Sequence, residues 1–327
     1  MNIDLLFDAV AARGHVCVGL DTAIDYLPAA VLKNAASPAQ AVLAFNKALV
    51  DATLDVSACY KVQIAYYEEL GLAGLEAYAK TLAYIREKGG LAISDIKRGD
   101  IADTATRYAR GHFTGDFETD FVTLSPYMGM DSIEPWRDFA RESGKGMFVL
   151  VRTSNKGYRD FEQLELAPEH RPANGGKRVY DAVAAKLVAA NEGLVGKSGY
   201  GPIGAVIGCT EREEAAEIRA RYPSLFFLIP GYGAQGGAAE DAALLLRDGN
   251  GGVVNASRSI LKAWVADTAG RDPASLTLDD CAAAARRAAI AMRDDIRGAC
   301  EAGDANKVGD ASNAGGASNA GGAGANR

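Results

Sequence analysis

The feature of this 327-residue sequence that most constrains its fold is a repeated alternation of short apolar segments with longer segments of helical pattern. Strands that are buried on both faces are apolar throughout, so this pattern predicts parallel strands connected by helices. Eight such units favour one α/β domain, a (β/α)8 TIM barrel, over two doubly wound halves. The predicted strands are 15–21, 58–63, 91–97, 121–124, 146–151, 203–207, 225–229 and 252–255.

The alternation ends near residue 302, where the composition changes. The segment Ala-Ser-Asn-Ala-Gly-Gly occurs twice, at 311–316 and 317–322. A segment without large apolar side chains buries too little surface to offset the entropy lost on ordering. We therefore expect a barrel domain over residues 1–302 and a disordered Gly/Ala/Ser/Asn-rich tail over residues 303–327.

Charge and composition exclude several classes of protein. A net charge of −7 argues against a nucleic-acid binder or a protein of anionic membranes, because both need a basic surface. No apolar run approaches the roughly 18 residues of a membrane span, and no basic leader precedes an apolar stretch, so we expect a cytoplasmic protein. The five cysteines are scattered without CxxC spacing, which predicts neither a disulfide framework nor a metal site.

Charges of both signs lie at the end of the third predicted strand. Asp95 and Lys97 are separated by one residue, so the alternation of side chains along a strand places them on one face. Asp100 follows shortly after, and Lys61 belongs to the preceding strand. Because neighbouring strand ends meet in a barrel, these four residues are expected to form an alternating array that keeps Lys97 an ammonium and a proton donor. A solvated ion pair is the alternative.

The loops after the last two predicted strands have the features of an anion site. Residues 230–237 read Pro-Gly-Tyr-Gly-Ala-Gln-Gly-Gly, and Arg258 follows the final strand. Glycines let backbone N–H groups approach an anion, and arginine adds a charge-assisted donor. These two loops are the usual phosphate site of such barrels, although a glycine-rich turn without a ligand is the alternative. The pattern is neither a Walker A loop nor a dinucleotide fingerprint.

Together these motifs resemble the orotidine 5′-phosphate decarboxylases, and the chain length resembles the longer bacterial branch of that family. The matching elements are Asp95-x-Lys97-x-x-Asp100-Ile-x-x-Thr104, Lys61, Arg-Thr-Ser-Asn at 152–155, Pro-Gly-x-Gly-x-Gln-Gly at 230–236, and Arg258. The resemblance covers residues 10–300 and leaves out the tail.

The resemblance implies a carboxy-lyase that converts orotidine 5′-monophosphate to UMP in pyrimidine synthesis, without metal or organic cofactor. By similarity, Asp95 lies against the departing carboxylate, and Lys97 stabilises and protonates the C6 carbanion. Lys61 holds ribose hydroxyls and orders Asp95. Asp100 and Thr104 reach into the site of a neighbouring subunit, which implies a homodimer with shared sites.

The resemblance also implies a set of substrate-binding residues, which are Asp21, Thr104, Ser154, Pro230, Gly233, Gln235 and Arg258. Asp21 would bind ribose, Ser154 the pyrimidine edge, and Gln235 both base and phosphate. Two simpler interpretations stay open, with Asp21 as a helix cap and Ser154 as a loop hydroxyl without a ligand.

Two other functions remain as alternatives. Magnesium-dependent hexulose-phosphate synthases and related decarboxylases share the Asp-x-Lys-x-x-Asp element, but Arg-Thr-Ser-Asn and Gln235 argue against them. A barrel that binds nucleotide phosphates without catalysis is disfavoured because unused buried charges are costly.

Overall fold

The chain forms a closed barrel of parallel strands. The computed structural model describes residues 1–233, 236–267, 270–272 and 275–316. The strands are β1 (Val16–Gly19), β2 (Cys59–Gln63), β3 (Ala92–Arg98), β4 (Phe121–Leu124), β5 (Gly146–Arg152), β6 (Ile203–Ile207), β7 (Phe227–Ile229) and β8 (Gly252–Ala256). Within the described residues these eight strands pair in chain order, and β8 closes on β1. The expected (β/α)8 barrel is confirmed.

Helices link successive strands and surround the barrel. They are α1 (Asn2–Arg13), α2 (Ala29–Asn34), α3 (Pro38–Thr53), α4 (Ala65–Glu68), α5 (Gly71–Glu87), α6 (Ala102–Phe113), α7 (Glu134–Ser143), α8 (Tyr158–Phe161), α9 (Val179–Ala190), α10 (Arg212–Arg221), α11 (Ala239–Leu244), α12 (Arg258–Leu261), α13 (Ala263–Asp267) and α14 (Leu278–Gly316). Short 3₁₀ helices lie at Ile24–Tyr26, Gly115–Phe117, Met130–Ser132 and Pro168–His170. The sequence predicts one helix over 67–88, but the structure has two, because α4 ends at Glu68 and α5 begins at Gly71, whose φ is 66°.

The barrel is closed at one end and open at the other. On α1, Ile3, Leu6 and Val10 are buried and pack with inward-facing strand residues such as Cys17 and Ile93. The outward-facing strand residues pack against the surrounding helices in a second apolar layer. Because α1 covers the N-terminal ends of the strands, the C-terminal ends remain as the open face of the molecule.

A buried arginine holds the closed end together. Arg219 of α10 donates hydrogen bonds to the carbonyl oxygens of Leu245 (2.8 Å), Leu225 (3.0 Å) and Gly251 (3.3 Å). These three residues belong to the segments that lead into β7 and β8. The Arg219 guanidinium lies 3.6 Å from the ring centroid of Phe227. Burial lowers the pKa of Arg219 to about 10. This side chain therefore ties backbone segments together at the cost of desolvating its charge.

The last helix, α14, includes residues 303–316 of the segment for which the sequence predicts disorder. Residues 317–327 lie outside the described part of the chain, so the disordered tail stays a prediction. No helix in the described residues is both long enough and apolar enough to cross a membrane.

Candidate active site

A cavity of about 470 Å³ lies at the open, C-terminal end of the barrel. Polar side chains on its wall come from several strand ends and include Asp21, Lys61, Asp95, Lys97, Thr123 and Ser154. Leu150, Val206 and Leu228 add apolar surface. Sites in such barrels are built at this end, and the cavity brings together residues that are far apart in the sequence.

Four charged side chains meet in this cavity, and we call them the charged cluster: Asp21, Lys61, Asp95 and Lys97. Lys61 Nζ donates to Asp21 Oδ1 (3.0 Å) and to Asp95 Oδ2 (2.8 Å). Lys97 Nζ donates to Asp95 Oδ1 at 2.6 Å. The signs of the charges therefore alternate within one chain, and Asp21 is the fourth charged side chain that this chain contributes.

The cluster keeps its two most buried members ionised. Lys61 and Asp95 are each only 5% exposed. Burial opposes the charge on Lys61, but Asp21 and Asp95 outweigh it and raise the pKa of the ammonium above its usual range. Burial likewise opposes the charge on Asp95, but Lys61 and Lys97 hold the pKa of that carboxyl well below its ordinary value. Lys61 is thus a fixed positive charge and not a nucleophile at neutral pH.

The contact between Asp95 and Lys97 depends on an irregularity in β3. Pairing with β4 runs regularly to Ser94 opposite Val122 and resumes only at Arg98 opposite Leu124. Lys97 has a φ of 42°, in the left-handed region that residues other than glycine rarely adopt. Strand alternation correctly predicts that Asp95 and Lys97 share a face, but a bulge and not a regular strand turns Lys97 towards Asp95.

Polar residues that the sequence analysis gave no role support the cluster. Thr123 Oγ1 donates to Asp95 Oδ1 at 2.8 Å, and Ser257 Oγ donates to Asp21 Oδ2 at 2.8 Å. In the sequence, the only sign of these two supporting residues is a hydroxyl side chain within or just after an apolar strand, and such a pattern is weak evidence by itself. Because Asp21 pairs with Lys61 and Ser257, its interpretation as a helix cap is wrong.

A second cavity of about 250 Å³ adjoins the first and shares Asp21, Pro230 and Asn255 with it. Arg258 lies on its wall beside the glycine-rich turn, so the structure brings these two predicted anion-binding elements together. Within the turn, Gly233 has a φ of 68° and donates its N–H to Gly237 O (2.9 Å). Gly233 is exposed and absent from the wall of this cavity, and the predicted Gln235 lies outside the described residues.

The connection after β5 places Ser154 on the main cavity. The backbone N–H and the hydroxyl of Thr153 both donate to the carboxylate of Glu162, at 2.7 and 2.8 Å. Arg152, only 1% exposed, donates from Nε to Glu214 at 3.1 Å and lies 4.1 Å from the ring centroid of Tyr158. These contacts anchor the residues that directly follow β5.

Asp100 and Thr104 lie outside both cavities of their own chain. The Asp100 carboxylate accepts the N–H of Ile101 at 2.9 Å, and Thr104 is exposed on the first turn of α6. Among the residues that the structure describes, no group of three or more His, Cys, Asp or Glu side chains is arranged to hold a metal ion.

Comparison with known proteins places the chain in a family. A family model described as "Orotidine 5′-phosphate decarboxylase / HUMPS family" matches residues 14–271. The chain belongs to this family. It is 54% identical over 299 residues to the orotidine 5′-phosphate decarboxylase of Clostridium perfringens strain SM101, covering 91% of this chain and 99% of that protein. A Clostridium acetobutylicum decarboxylase is 54% identical over 297 residues, with the same coverage.

Solved structures of family members share the fold. The OMP decarboxylase of Leishmania donovani is 31% identical with a TM-score of 0.68, and the match covers 91% of this chain and 98% of that one. A putative orotidine 5′-phosphate decarboxylase from Streptomyces avermitilis is 30% identical with a TM-score of 0.70, covering 91% and 95%. The family expected from the sequence motifs is confirmed.

Proposed function

We propose that this chain is a carboxy-lyase that decarboxylates orotidine 5′-monophosphate to UMP, a step of pyrimidine synthesis. The observation that carries the proposal is the charged cluster at the mouth of the barrel, in a chain that belongs to the decarboxylase family. Relatives that are 54% identical over nearly their whole length have this activity in their names. No observation favours the magnesium-dependent sugar-phosphate reaction or a non-catalytic barrel.

The chemistry requires a positive charge beside C6 of the pyrimidine. When the bond between C6 and the carboxylate breaks, CO₂ leaves and the electron pair stays on C6. Lys97 Nζ, held 2.6 Å from Asp95 Oδ1, would stabilise this carbanion and then transfer a proton to it. An ammonium already fixed by a carboxylate needs little reorganisation as charge develops, which lowers the barrier. Solvent then returns the proton to the amine.

The two adjoining cavities suit the two ends of a nucleotide. In this proposal the base lies in the larger cavity, with its C6 carboxylate against Asp95 and its edge near Ser154. Asp21 and Lys61 bind the ribose hydroxyls. Arg258 and the turn that carries Pro230, Gly233 and Gln235 bind the phosphate in the smaller cavity. Binding energy from the phosphate can then orient the base for reaction.

The test of the function is a decarboxylation assay without metal. We expect EDTA-treated protein to lower the absorbance of orotidine 5′-monophosphate, and added Mg²⁺ to leave the rate unchanged. An activity that EDTA abolishes and Mg²⁺ restores would instead support the hexulose-phosphate synthase type. Binding of UMP without turnover would support a non-catalytic barrel.

We propose that Asp100 and Thr104 complete the site of a second subunit in a homodimer. Both lie outside the cavities of their own chain at the start of α6, which supports a role elsewhere. Mixing Asp100→Ala with Lys97→Ala protein should restore part of the activity, because each mixed dimer then has one intact site. No recovery after subunit exchange would contradict a shared site. We also propose a cytoplasmic location, as composition leads us to expect.

A further inference from the structure

The strongest feature without an assigned role is Thr123, at the inward-facing position of β4 beside the charged cluster. Its side chain is part of the main cavity wall, yet the residue is only 1% exposed. Oγ1 lies within hydrogen-bond distance of three groups that all belong to β3. These are Asp95 Oδ1 (2.8 Å), the backbone N of Ile96 (3.0 Å) and the backbone N of Lys97 (3.0 Å).

These three contacts use the full capacity of a hydroxyl group. A threonine hydroxyl has one proton to donate and two lone pairs that accept. The N–H groups of Ile96 and Lys97 can only donate, so they occupy the lone pairs and direct the proton of Thr123 to Asp95. The orientation of this hydroxyl is therefore fixed by its surroundings before any ligand binds.

The hydroxyl also fills the gap in the pairing between β3 and β4. Residues 95–97 on β3 face Thr123 alone, because regular pairing stops at Ser94 and resumes at Arg98. The N–H groups of Ile96 and Lys97 bond to the Thr123 side chain at this bulge. The same bonds hold Lys97 in its left-handed conformation, which would otherwise be unfavourable.

Thr123 acts on the oxygen of Asp95 that also contacts the reacting amine. Asp95 Oδ1 accepts from both Thr123 and Lys97, while Oδ2 accepts from Lys61. With both oxygens engaged, the carboxylate cannot rotate without breaking a hydrogen bond. Removing the hydroxyl takes away one of the two hydrogen bonds to Asp95 Oδ1 and both side-chain hydrogen bonds to the backbone of β3 in a single change.

We propose that Thr123 is a positioning residue for the decarboxylation, an inference that rests on the proposed function. Its hydroxyl fixes the Asp95 carboxylate and the Lys97 backbone together, so that Lys97 Nζ is held where the C6 carbanion forms. Thr123 itself transfers no proton to substrate. Because small displacements of a catalytic group reduce turnover strongly, loss of the hydroxyl lowers kcat more than it affects KM.

The test compares Thr123→Ser with Thr123→Ala, two variants that differ by one oxygen atom. We expect kcat of Thr123→Ser to remain within about threefold of wild type, and kcat of Thr123→Ala to fall by at least about tenfold. KM should stay within about threefold in both variants, since the hydroxyl is not assigned to substrate binding. If Thr123→Ala does not fold, Thr123→Val removes the same hydroxyl at nearly constant volume and takes its place.

Thr119 provides a matched control just before β4. It is as buried as Thr123, and its hydroxyl lies within hydrogen-bond distance of the carbonyl oxygens of Ala92 (2.9 Å) and Phe121 (3.2 Å), away from the cavity. Thr119→Ala should lower the midpoint of urea unfolding and leave kcat within about twofold of wild type. This control separates loss of a buried hydroxyl from loss of positioning.

Each outcome decides the proposal. If the wild-type protein decarboxylates the substrate and Thr123→Ala, or its valine substitute, keeps kcat within about twofold, the positioning role is overturned. Equal losses in Thr123→Ser and Thr123→Ala also overturn it, because they would reflect packing of the methyl group. An inactive wild-type protein would overturn the proposed function itself, and the role of Thr123 with it.

Discussion

Two buried cations, Lys61 and Arg219, lie at opposite ends of the barrel and are stabilised in different ways. Lys61 is at the open C-terminal end and 5% exposed, and Arg219 is at the closed N-terminal end and 6% exposed. Lys61 donates to two carboxylates. Every hydrogen bond found for Arg219 in the described part of the chain goes to a backbone carbonyl.

The partners decide what each charge can do. Carboxylates outweigh the desolvation of Lys61 and raise its pKa, whereas carbonyl dipoles do not outweigh the desolvation of Arg219, whose pKa falls to about 10. A cation among carboxylates forms part of an ordered field that can act on a bound molecule. A cation among carbonyls connects backbone segments that enter β7 and β8. Burial alone therefore does not distinguish a functional charge from a structural one.

The largest expected effect is a loss of activity when the charged cluster, which contains Lys61, is altered. Lys97→Ala should lower kcat by at least about 1,000-fold, because it removes the proposed proton donor and the charge beside C6. The unfolding free energy should change by less than about 1 kcal/mol, since the Lys97 side chain is 47% exposed. Absorbance assays and urea unfolding measure the two effects.

The control for Lys97 is Lys80→Ala, which removes an exposed lysine paired with Glu76 at 2.6 Å. It should leave both kcat and stability near the wild-type values. Retention of activity in Lys97→Ala would show that the cluster is not the catalytic centre.

The second prediction concerns the closed end, where we expect a large loss of stability and little change in activity. Arg219→Met keeps apolar contact with Phe227 but removes every donor to the carbonyls, and we expect a loss of about 3 kcal/mol or more in unfolding free energy. At a temperature where the variant is folded, kcat should stay within about twofold of wild type. Arg212→Met, in the same helix but paired at the surface with Asp241, is the control. Equal stability of the two variants would contradict a structural role for Arg219.

A third buried group, His112, is stabilised in neither way and should be neutral. Its ring stacks on Phe117 and Trp136, and Nδ1 has no hydrogen-bond partner among the described residues. Burial, with a smaller contribution from Arg98, lowers the pKa of His112 to about 4. The unfolded chain, with a pKa near 6.5, binds the proton first as pH falls. Stability is therefore full above pH 6.5 and is lost between pH 6.5 and 4.

We expect His112→Phe to remove up to about 3 kcal/mol of the unfolding free energy that wild type loses between pH 6.5 and 4. Each unit of difference in pKa between the folded and the unfolded chain corresponds to about 1.4 kcal/mol. Urea unfolding at a series of pH values measures it. His170→Gln changes an exposed histidine and should leave the profile as in wild type. Part of the slope will remain from His15, whose pKa burial also lowers. A variant profile parallel to that of wild type would show that His112 is not the group that titrates.

The smallest effect is expected from removal of the C-terminal tail, residues 303–327. A chain ending at residue 302 should keep kcat within about twofold and unfolding free energy within about 0.5 kcal/mol of wild type, because the tail lacks large apolar side chains. A clear loss of stability would show that residues 303–316 of α14 pack on the domain.

The sequence by itself determined the barrel and most of the cluster. The alternation of apolar strands and helices is a local pattern, and it was sufficient because parallel strands with these connections have few ways to bury both faces. Since all eight predicted strands run in one direction, the ends that carry Lys61, Asp95 and Lys97 had to meet at one face. Alternation along β3 predicted that Asp95 and Lys97 share a face, although the bulge in β3 sets their actual contact.

Only the tertiary structure decided which groups support those charges. Asp21 was found to pair with Lys61, and Thr123 and Ser257 were found to donate hydrogen bonds to the Asp95 and Asp21 carboxylates. These contacts depend on how β3 pairs with β4 and how β8 closes on β1, including a bulge that no local pattern marks. Sequence patterns report the direction of a side chain along its own strand. The register between strands, which sets the distance between such side chains, follows from packing of the whole barrel.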